Sequence, residues 1–375
     1  MNIKILFFGS DYPPTGGGIS TYTQEWLFAL AKENSINGKV FIFGNREPRK
    51  ESIMNIFEVN TLRSVNFFYV GYKIFLYVLR NKDFEILHSF NLFPVGFWVI
   101  FWSKFFGKKG ILTFYGADAC DTRTSKKVLF LQRWTIKNAY KNITISEFTK
   151  DKVINRYKIV GENINVIYPV LPRFFDKMDK NSKEIKDIIN KFKIENNDFI
   201  IIAVCRLVKR KGIEYLIDAI RKIGDKNVKV IIIGDGKERV VWENKVKDYD
   251  LNNQIFFAGK VPNLVPYYSI ANIAVLLSYI ILEEGDFEGL GLVLLEAQSY
   301  GLPVIGTRSG GIPEAIDEGG TGLVVPEKNS DAIAKAILRL KNDSSLYVNM
   351  KEKTKVFLEG RFGKKNTIDK YLNII

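Results

Sequence analysis

The sequence predicts an α/β protein built from two Rossmann-like parallel-sheet halves facing across a cleft. Three observations carry this. The 375-residue length suits two domains rather than one. Short apolar runs alternate with segments of helical period along the chain, the pattern of parallel sheets covered by helices. Each half also opens on a buried strand, a loop of special composition and a helix; the loop is glycine-rich in the first half and cationic in the second.

Composition narrows the class. An apolar content of 46% is ordinary for a globular chain. The two cysteines, Cys120 and Cys205, give neither a disulfide framework nor a metal-ligand spacing, and predict a reducing compartment. The opening M-N-I-K-I-L-F-F-G-S reads as a buried strand, because its apolar run leads into a glycine-rich turn and lacks a signal-peptide layout. No stretch reaches the ~18 apolar residues of a spanning helix. The nearest, Leu92 to Trp102, is interrupted by Pro94 and Gly96. A net charge of +14 serves solubility or an anionic partner. No nucleic-acid module is recognisable, so nucleic acid is not expected, and an anionic membrane surface remains as a candidate.

In the first half, residues 2–9 form a strand, Asp11 to Ser20 a glycine-rich loop with Gly17 and Gly18, and Thr21 to Lys32 a helix with Trp26, Leu27 and Leu30 on one face. The loop lacks G-x-G-x-x-G spacing, and no acidic residue ends the next strand, Lys39 to Phe43; this argues against a nicotinamide site. Val65 to Arg80 is an aromatic-rich helix. Phe84 to Ser89 is a strand bearing His88, the only histidine, for which a structural role outweighs a catalytic one. The strand Lys109 to Tyr115 runs into Gly116, Ala117 and Asp118. Strands at 142–146 and 164–168 follow, the first leading into a helix capped by Ser146. Pro169 and Pro172 stiffen a hinge, and Lys177 to Asn197 reads as a polar linker.

The second half places strands at 199–205, 228–234, 254–259, 273–277 and 302–306, and an amphipathic helix at 331–340. After the first of these come Arg206, Leu207, Val208, Lys209, Arg210, Lys211 and Gly212. A cationic loop directly after a buried strand suits a diphosphate, which a guanidinium and an ammonium neutralise without a metal. Asp286 to Gln298 reads D-F-E-G-L-G-L-V-L-L-E-A-Q. Gly289 and Gly291 before a helix let backbone approach a ligand, and the helix dipole favours phosphate. Eight helical residues would separate Glu288 from Glu296 by roughly 12 Å. Glu296 could then accept a ribose diol while Glu288 meets the sugar. A capped helix with two solvated glutamates would explain an isolated E-x7-E; the glycines, the preceding strand and the cationic loop favour a ligand site.

These residues resemble the signature of the retaining glycosyltransferases of family 4, which have the GT-B fold. The resemblance covers nearly the whole chain. It implies a first domain of residues 1–172 that takes the acceptor, rejoined by a last helix at 360–375, and a nucleotide-sugar domain of residues 173–359. It assigns Arg206 and Lys211 to the donor diphosphate, and the 259–261 backbone, with Val261, to the base. Gly17, Gly18, Glu288, Gly289, Leu290, Gly291, Leu292 and Glu296 complete the donor site. Ser146, Glu147 and Thr149 match the family's S-E-x-T, and Gly310, Gly311, Pro313 and Glu314 its last loop. Tyr115 stands where relatives carry a histidine beside the reaction centre; a tyrosine is no proton acceptor near neutral pH. Asp118 still matches. No D-x-D metal motif stands out, so the expected chemistry is metal-independent hexosyl transfer with no cofactor beyond the nucleoside diphosphate sugar. Two other readings share the architecture: a catalytically weak nucleotide-sugar binding protein, which Tyr115 would suit, and a nucleotide-sugar epimerase, which the single histidine disfavours.

Residues 61–110 hold seven Lys or Arg against two Asp or Glu, and residues 121–160 hold ten against three. The first stretch carries Phe67, Phe68, Tyr69, Tyr72, Phe75, Tyr77, Phe97, Trp98, Phe101, Trp102, Phe105 and Phe106. At least half of these aromatics are expected in the core. The remainder, with Lys104, Lys108 and Lys109, predict a cytoplasmic protein peripheral on the inner face of the cell membrane, acting on a lipid-linked hydroxyl acceptor.

Overall fold

The structure, a computed structural model, describes residues 3–10, 12, 18–33, 35–44, 50–53, 57–62, 66–116, 124–170, 178–179, 182–283 and 285–375. The chain divides into two compact units: Met1–Val170 with Glu283–Gly285 and Phe362–Ile375, and Leu171–Leu282 with Asp286–Arg361. Each is built on one sheet of Rossmann-like, mainly parallel strands, as the sequence predicts.

The first sheet comprises β1 (Ile3–Gly9), β2 (Ile36–Phe43), β3 (Lys50–Ile53), β4 (Phe57–Leu62), β5 (Ile86–Ser89), β6 (Lys109–Phe114), β7 (Lys141–Thr144) and β8 (Ile164–Val166). Its order is β3-β4-β2-β1-β5-β6-β7-β8, with only β3 antiparallel. The central strands are apolar without alternation because helices cover both faces; Ile5, Leu6, Phe7 and Phe8 of β1 are all inaccessible to solvent. Strand order reverses between β1 and β5. There the Asn91 side chain accepts the Ser10 N–H at 2.6 Å, tying the two strand ends together.

His88 on β5 is fully buried. One ring nitrogen meets the Tyr371 hydroxyl and the other the Thr113 hydroxyl, both at 2.8 Å. Burial lowers its pKa to about 3, so the ring is neutral. With both nitrogens occupied inside the core, it is a structural residue. Tyr371 belongs to the last helix, Ile368–Ile374, and also meets Trp26 edge-on at 5.4 Å.

The second sheet comprises β9 (Phe199–Val204), β10 (Val228–Ile233), β11 (Ile255–Gly259), β12 (Ile273–Leu276), β13 (Val304–Thr307) and β14 (Gly322–Val325). All are parallel in the order β11-β10-β9-β12-β13-β14. The helix Ile213–Ile223 buries Ile213, Leu216, Ile217 and Ile220 against the sheet, an i, i+3, i+4, i+7 stripe. Ser330–Asn342, capped by the Asn329 side chain on the Ala332 N–H, adds Ile333, Ile337 and Leu340 to the same core.

Three sequence expectations are corrected. The stretch read as a linker contains the helix Lys183–Lys191, whose Ile185 and Ile188 are buried; high polarity hid a narrow apolar stripe. Glu288 lies outside the helix that follows it, which begins only at Leu292. Of the twelve aromatics named above on these helical stretches, none is fully buried: eight are half-buried and four are exposed. Eleven sit on helices Phe67–Arg80 and Phe97–Phe105, with Phe106 as the cap of the second, and the two helices stack rings on each other at the unit's surface.

Candidate active site at the carboxyl edge of the second sheet

The order of the second sheet places its topological switch point between β9 and β12, where connections leave in opposite directions and open a crevice beyond the strand ends. Both loops singled out in the sequence emerge there. From β9 the chain runs through Cys205 and Arg206 into a tight turn at Lys209–Lys211. From β12 it passes Leu277 and Ser278 toward Glu288. Gly212 ends the cationic turn at φ 64°, and a Cβ there would lie 2.2 Å from the Leu277 carbonyl oxygen. Only glycine lets the two loops approach so closely.

Glu288 is the centre of the cluster. Its Oε2 accepts from Lys211 Nζ at 2.5 Å, Arg210 NH1 at 2.9 Å and Ser278 Oγ at 3.1 Å. Arg210 also reaches Asp286 Oδ2 through Nε at 3.0 Å, an ion pair whose N–H is poorly aligned for a hydrogen bond. Arg210 and Lys211 are themselves buried. Burial alone would raise the Glu288 carboxyl; the charges and hydrogen bonds of Lys211 and Arg210 outweigh it and hold the pKa at about 2. Glu288 is therefore ionised at neutral pH and acts as a fixed negative charge and acceptor.

The glycine loops complete the rim. The Glu288 carbonyl accepts the Gly311 N–H at 2.9 Å, and a Cβ on Gly311 would lie 2.0 Å from the Gly289 oxygen. Gly289 and Leu290 are buried, and Gly291 in a left-handed conformation begins the helix Leu292–Ser299. On that helix Glu296 accepts the Tyr268 hydroxyl at 3.1 Å, and Tyr268 stacks on Tyr300 at 5.0 Å. Burial drives the Tyr268 pKa well above its ordinary value, so its proton stays on the phenol and orients the carboxylate. Arg206 is exposed and makes no ion pair with a described residue. Val261 is half-buried in the turn after β11.

The structure thus brings together Lys211, Glu288 and the 289–292 turn, with Arg206 on the loop that carries Lys211. Sequence reasoning missed Arg210 as a partner of Glu288, since it lies within a run of three basic residues. It also missed Ser278 and Tyr268, which carry no motif. In the first unit, Tyr115 is buried, with its hydroxyl 3.1 Å from Thr23 Oγ1 and its ring edge-on to Tyr22 at 4.9 Å. Gly18 opens the helix Gly18–Ala31. Gly17 and Asp118 lie outside the described residues.

A pair of Rossmann-like units, the second with a cation-lined switch point and a glycine turn before a helix, defines a GT-B transferase. The sequence profile of glycosyl transferases group 1 matches residues 184–357 and that of glycosyltransferase family 4 matches residues 16–171. The chain belongs to this family of glycosyltransferases. An uncharacterised glycosyltransferase of Methanocaldococcus jannaschii is 26% identical over 360 residues, covering 95% of this chain and 94% of its own. N-acetyl-alpha-D-glucosaminyl L-malate synthase of Bacillus anthracis is 24% identical over 302 residues, covering 79% and 76%. Among solved structures, Anabaena HepE in complex with UDP matches over 100% of both chains with a TM-score of 0.80 at 16% identity. Its complex with UDP-glucose gives 0.78 at 18%.

Proposed function

We propose that the protein transfers a hexose from a nucleoside diphosphate sugar to a hydroxyl acceptor, with retention of anomeric configuration and without an essential metal. The observation that carries this is the charge arrangement at the switch point, where buried Lys211 pairs with half-buried Glu288 and exposed Arg206 stands on the same loop. HepE, which shares the fold, is solved with UDP and UDP-glucose.

In this reading the diphosphate lies against Arg206, Lys211 and the N–H groups that open the helix at Leu292. An ammonium has three donors, so Lys211 can hold Glu288 and a phosphate oxygen together. As the bond from anomeric carbon to phosphate breaks, negative charge grows on the leaving diphosphate and positive charge on the sugar ring. Preorganised cations stabilise the first. The ionised Glu288 accepts sugar hydroxyls and opposes the second charge. Glu296, oriented by Tyr268, binds the ribose diol, and the backbone at Val261 holds the base. Tyr115, whose hydroxyl meets Thr23, is no proton acceptor near neutral pH. The acceptor is a lipid-linked sugar or a growing surface glycan at the inner face of the cell membrane, taken by the first unit.

An epimerase would need a mobile acid–base group, and the one histidine is enclosed with both nitrogens bonded. The test is incubation with UDP-, GDP- and ADP-sugars plus a lipid-linked acceptor, following nucleoside diphosphate release and the anomeric proton of the product by NMR. Donor-dependent release that Arg206→Ala abolishes, with a product of unchanged anomeric configuration, supports the reading. Binding without release would leave a nucleotide-sugar binding protein, and an isomerised nucleotide-sugar without acceptor would mean an epimerase.

A further inference from the structure

The first unit carries a surface that the transfer reaction does not use. Helices Phe67–Arg80, Phe97–Phe105 and Lys126–Asn138 lie side by side and share one set of aromatic contacts. Phe67 meets Phe97 and Trp98, Phe75 meets Trp102, and Trp134 of the third helix meets Phe97 at 5.6 Å and Phe101 at 6.5 Å. Rings at i and i+4 project from the outer side: Phe68 is 76% exposed with Tyr72 at 59%, and Phe105 is 68% exposed with Phe101 at 37%. Phe130 on the third helix is 69% exposed.

The charge on these helices is one-sided. Their sequences contain Lys73, Arg80, Lys104, Lys126, Lys127, Arg133 and Lys137, and not one Asp or Glu. An open depression at the start of the third helix is lined by Lys126, Lys127, Phe130 and Leu131, pairing two ammonium groups with apolar walls. Soluble surfaces mix both signs of charge and rarely cluster large exposed rings.

We infer that the joined outer face of these three helices is a docking surface for an anionic lipid bilayer, into which Phe68, Tyr72, Phe101, Phe105 and Phe130 insert. The charge decides the occupant. A second copy packed on the same face about a two-fold axis would bring two sets of these cations together, and the three helices themselves offer no carboxylate to set between them. A bilayer with anionic headgroups supplies the missing counter-charge, and its interfacial zone takes aromatic rings at headgroup level. Among the described residues no helix is long and apolar enough to cross a membrane, so the helices lie along the interface. This surface would bind the bilayer equally with a water-soluble acceptor.

The test is co-sedimentation of the full chain with vesicles of phosphatidylcholine alone and of phosphatidylcholine mixed with phosphatidylglycerol, at low and high salt. The wild type partitions onto the anionic vesicles, less so at high salt. The combined F68S/F101S/F105S/F130S variant loses at least tenfold in partitioning at both salt concentrations. The K104Q/K126Q/K127Q variant loses roughly fivefold per residue at low salt only. Phe68, Phe105, Phe130 and the three lysines are exposed and Phe101 is 37% exposed, so the melting curve of each variant is compared with the wild type to verify folding. Brominated lipids placed on wild-type protein quench Trp98, Trp102 and Trp134. Absence of binding to anionic vesicles at low salt overturns the inference. So does undiminished binding by the four-phenylalanine variant, or a dimer that this variant dissolves.

Discussion

Lys211 and Glu288 meet through a 2.5 Å contact between Nζ and Oε2, 77 residues apart in sequence, at the carboxyl edge of the second sheet. Neither loop alone explains the pair. The cationic turn after β9 and the glycine turn before Leu292 become neighbours only because β9 and β12 are adjacent in the sheet. Arg210 doubles the positive charge on the same oxygen.

The first prediction concerns this triad. Glu288→Ala leaves two buried cations without their shared partner and should destabilise the protein by about 3–5 kcal/mol. Glu288→Gln keeps the shape and should remain folded while losing most turnover. Urea unfolding of both variants, beside donor consumption by Glu288→Gln, checks this. Wild-type stability in Glu288→Ala would show that the pair carries no structural weight.

Arg210 gives the second prediction. It bonds Glu288 and pairs with Asp286, which fixes both ends of the approach to the glycine turn. Arg210→Met should lower turnover more than it weakens nucleotide affinity, because it loosens Glu288 without removing Lys211 or Arg206. Separate measurements of kcat and KM decide the point; a pure rise in KM would place Arg210 on the nucleotide itself.

A third prediction follows from His88, whose pKa burial lowers from 6.5 to about 3. The unfolded chain takes a proton near pH 6.5, which the folded chain refuses until about pH 3. Stability from the neutral ring is thus complete above pH 6.5 and declines as pH falls toward 3, by about 1.4 kcal/mol per unit. The ring resonances of this single histidine should not titrate between about pH 8 and 5. A midpoint near 6.5 would mean an open ring.

Much of this was legible in the sequence. Buried strands such as F-I-I-I-A-V of β9 announce themselves as unbroken apolar runs, and the cationic loop follows β9 directly. What stayed hidden depends on tertiary partners. β3 and β4 have little apolar pattern to mark them, and the helix Lys183–Lys191 exposes a polar face around only two buried isoleucines. The helix Ser344–Phe362 has no single apolar stripe to mark it either. Arg210 differs from Lys209 and Lys211 only in where its side chain finds carboxylates. In the aromatic stretch from Phe67 to Phe106 composition cannot tell inward rings from outward ones, and its two helices settle at the surface.

A fourth prediction separates the two glutamates. Tyr268→Phe removes the bond that orients Glu296 and should weaken binding of UDP or its counterpart nucleotide several-fold, while melting temperature changes little, since the ring stack on Tyr300 remains. Equal affinity would show that Glu296 needs no positioning.

The central claim is that a nucleoside diphosphate binds at the second sheet's switch point through Arg206, Lys211 and Glu296. Isothermal calorimetry of the wild type with UDP, GDP and ADP selects the nucleotide. The same titration is then run on Arg206→Ala, Lys211→Ala and Glu296→Ala. Each variant should lose at least tenfold in affinity, corresponding to about 1.4 kcal/mol, with the cation variants approaching about 2–5 kcal/mol. Unchanged affinity in all three would contradict the account and move the nucleotide elsewhere.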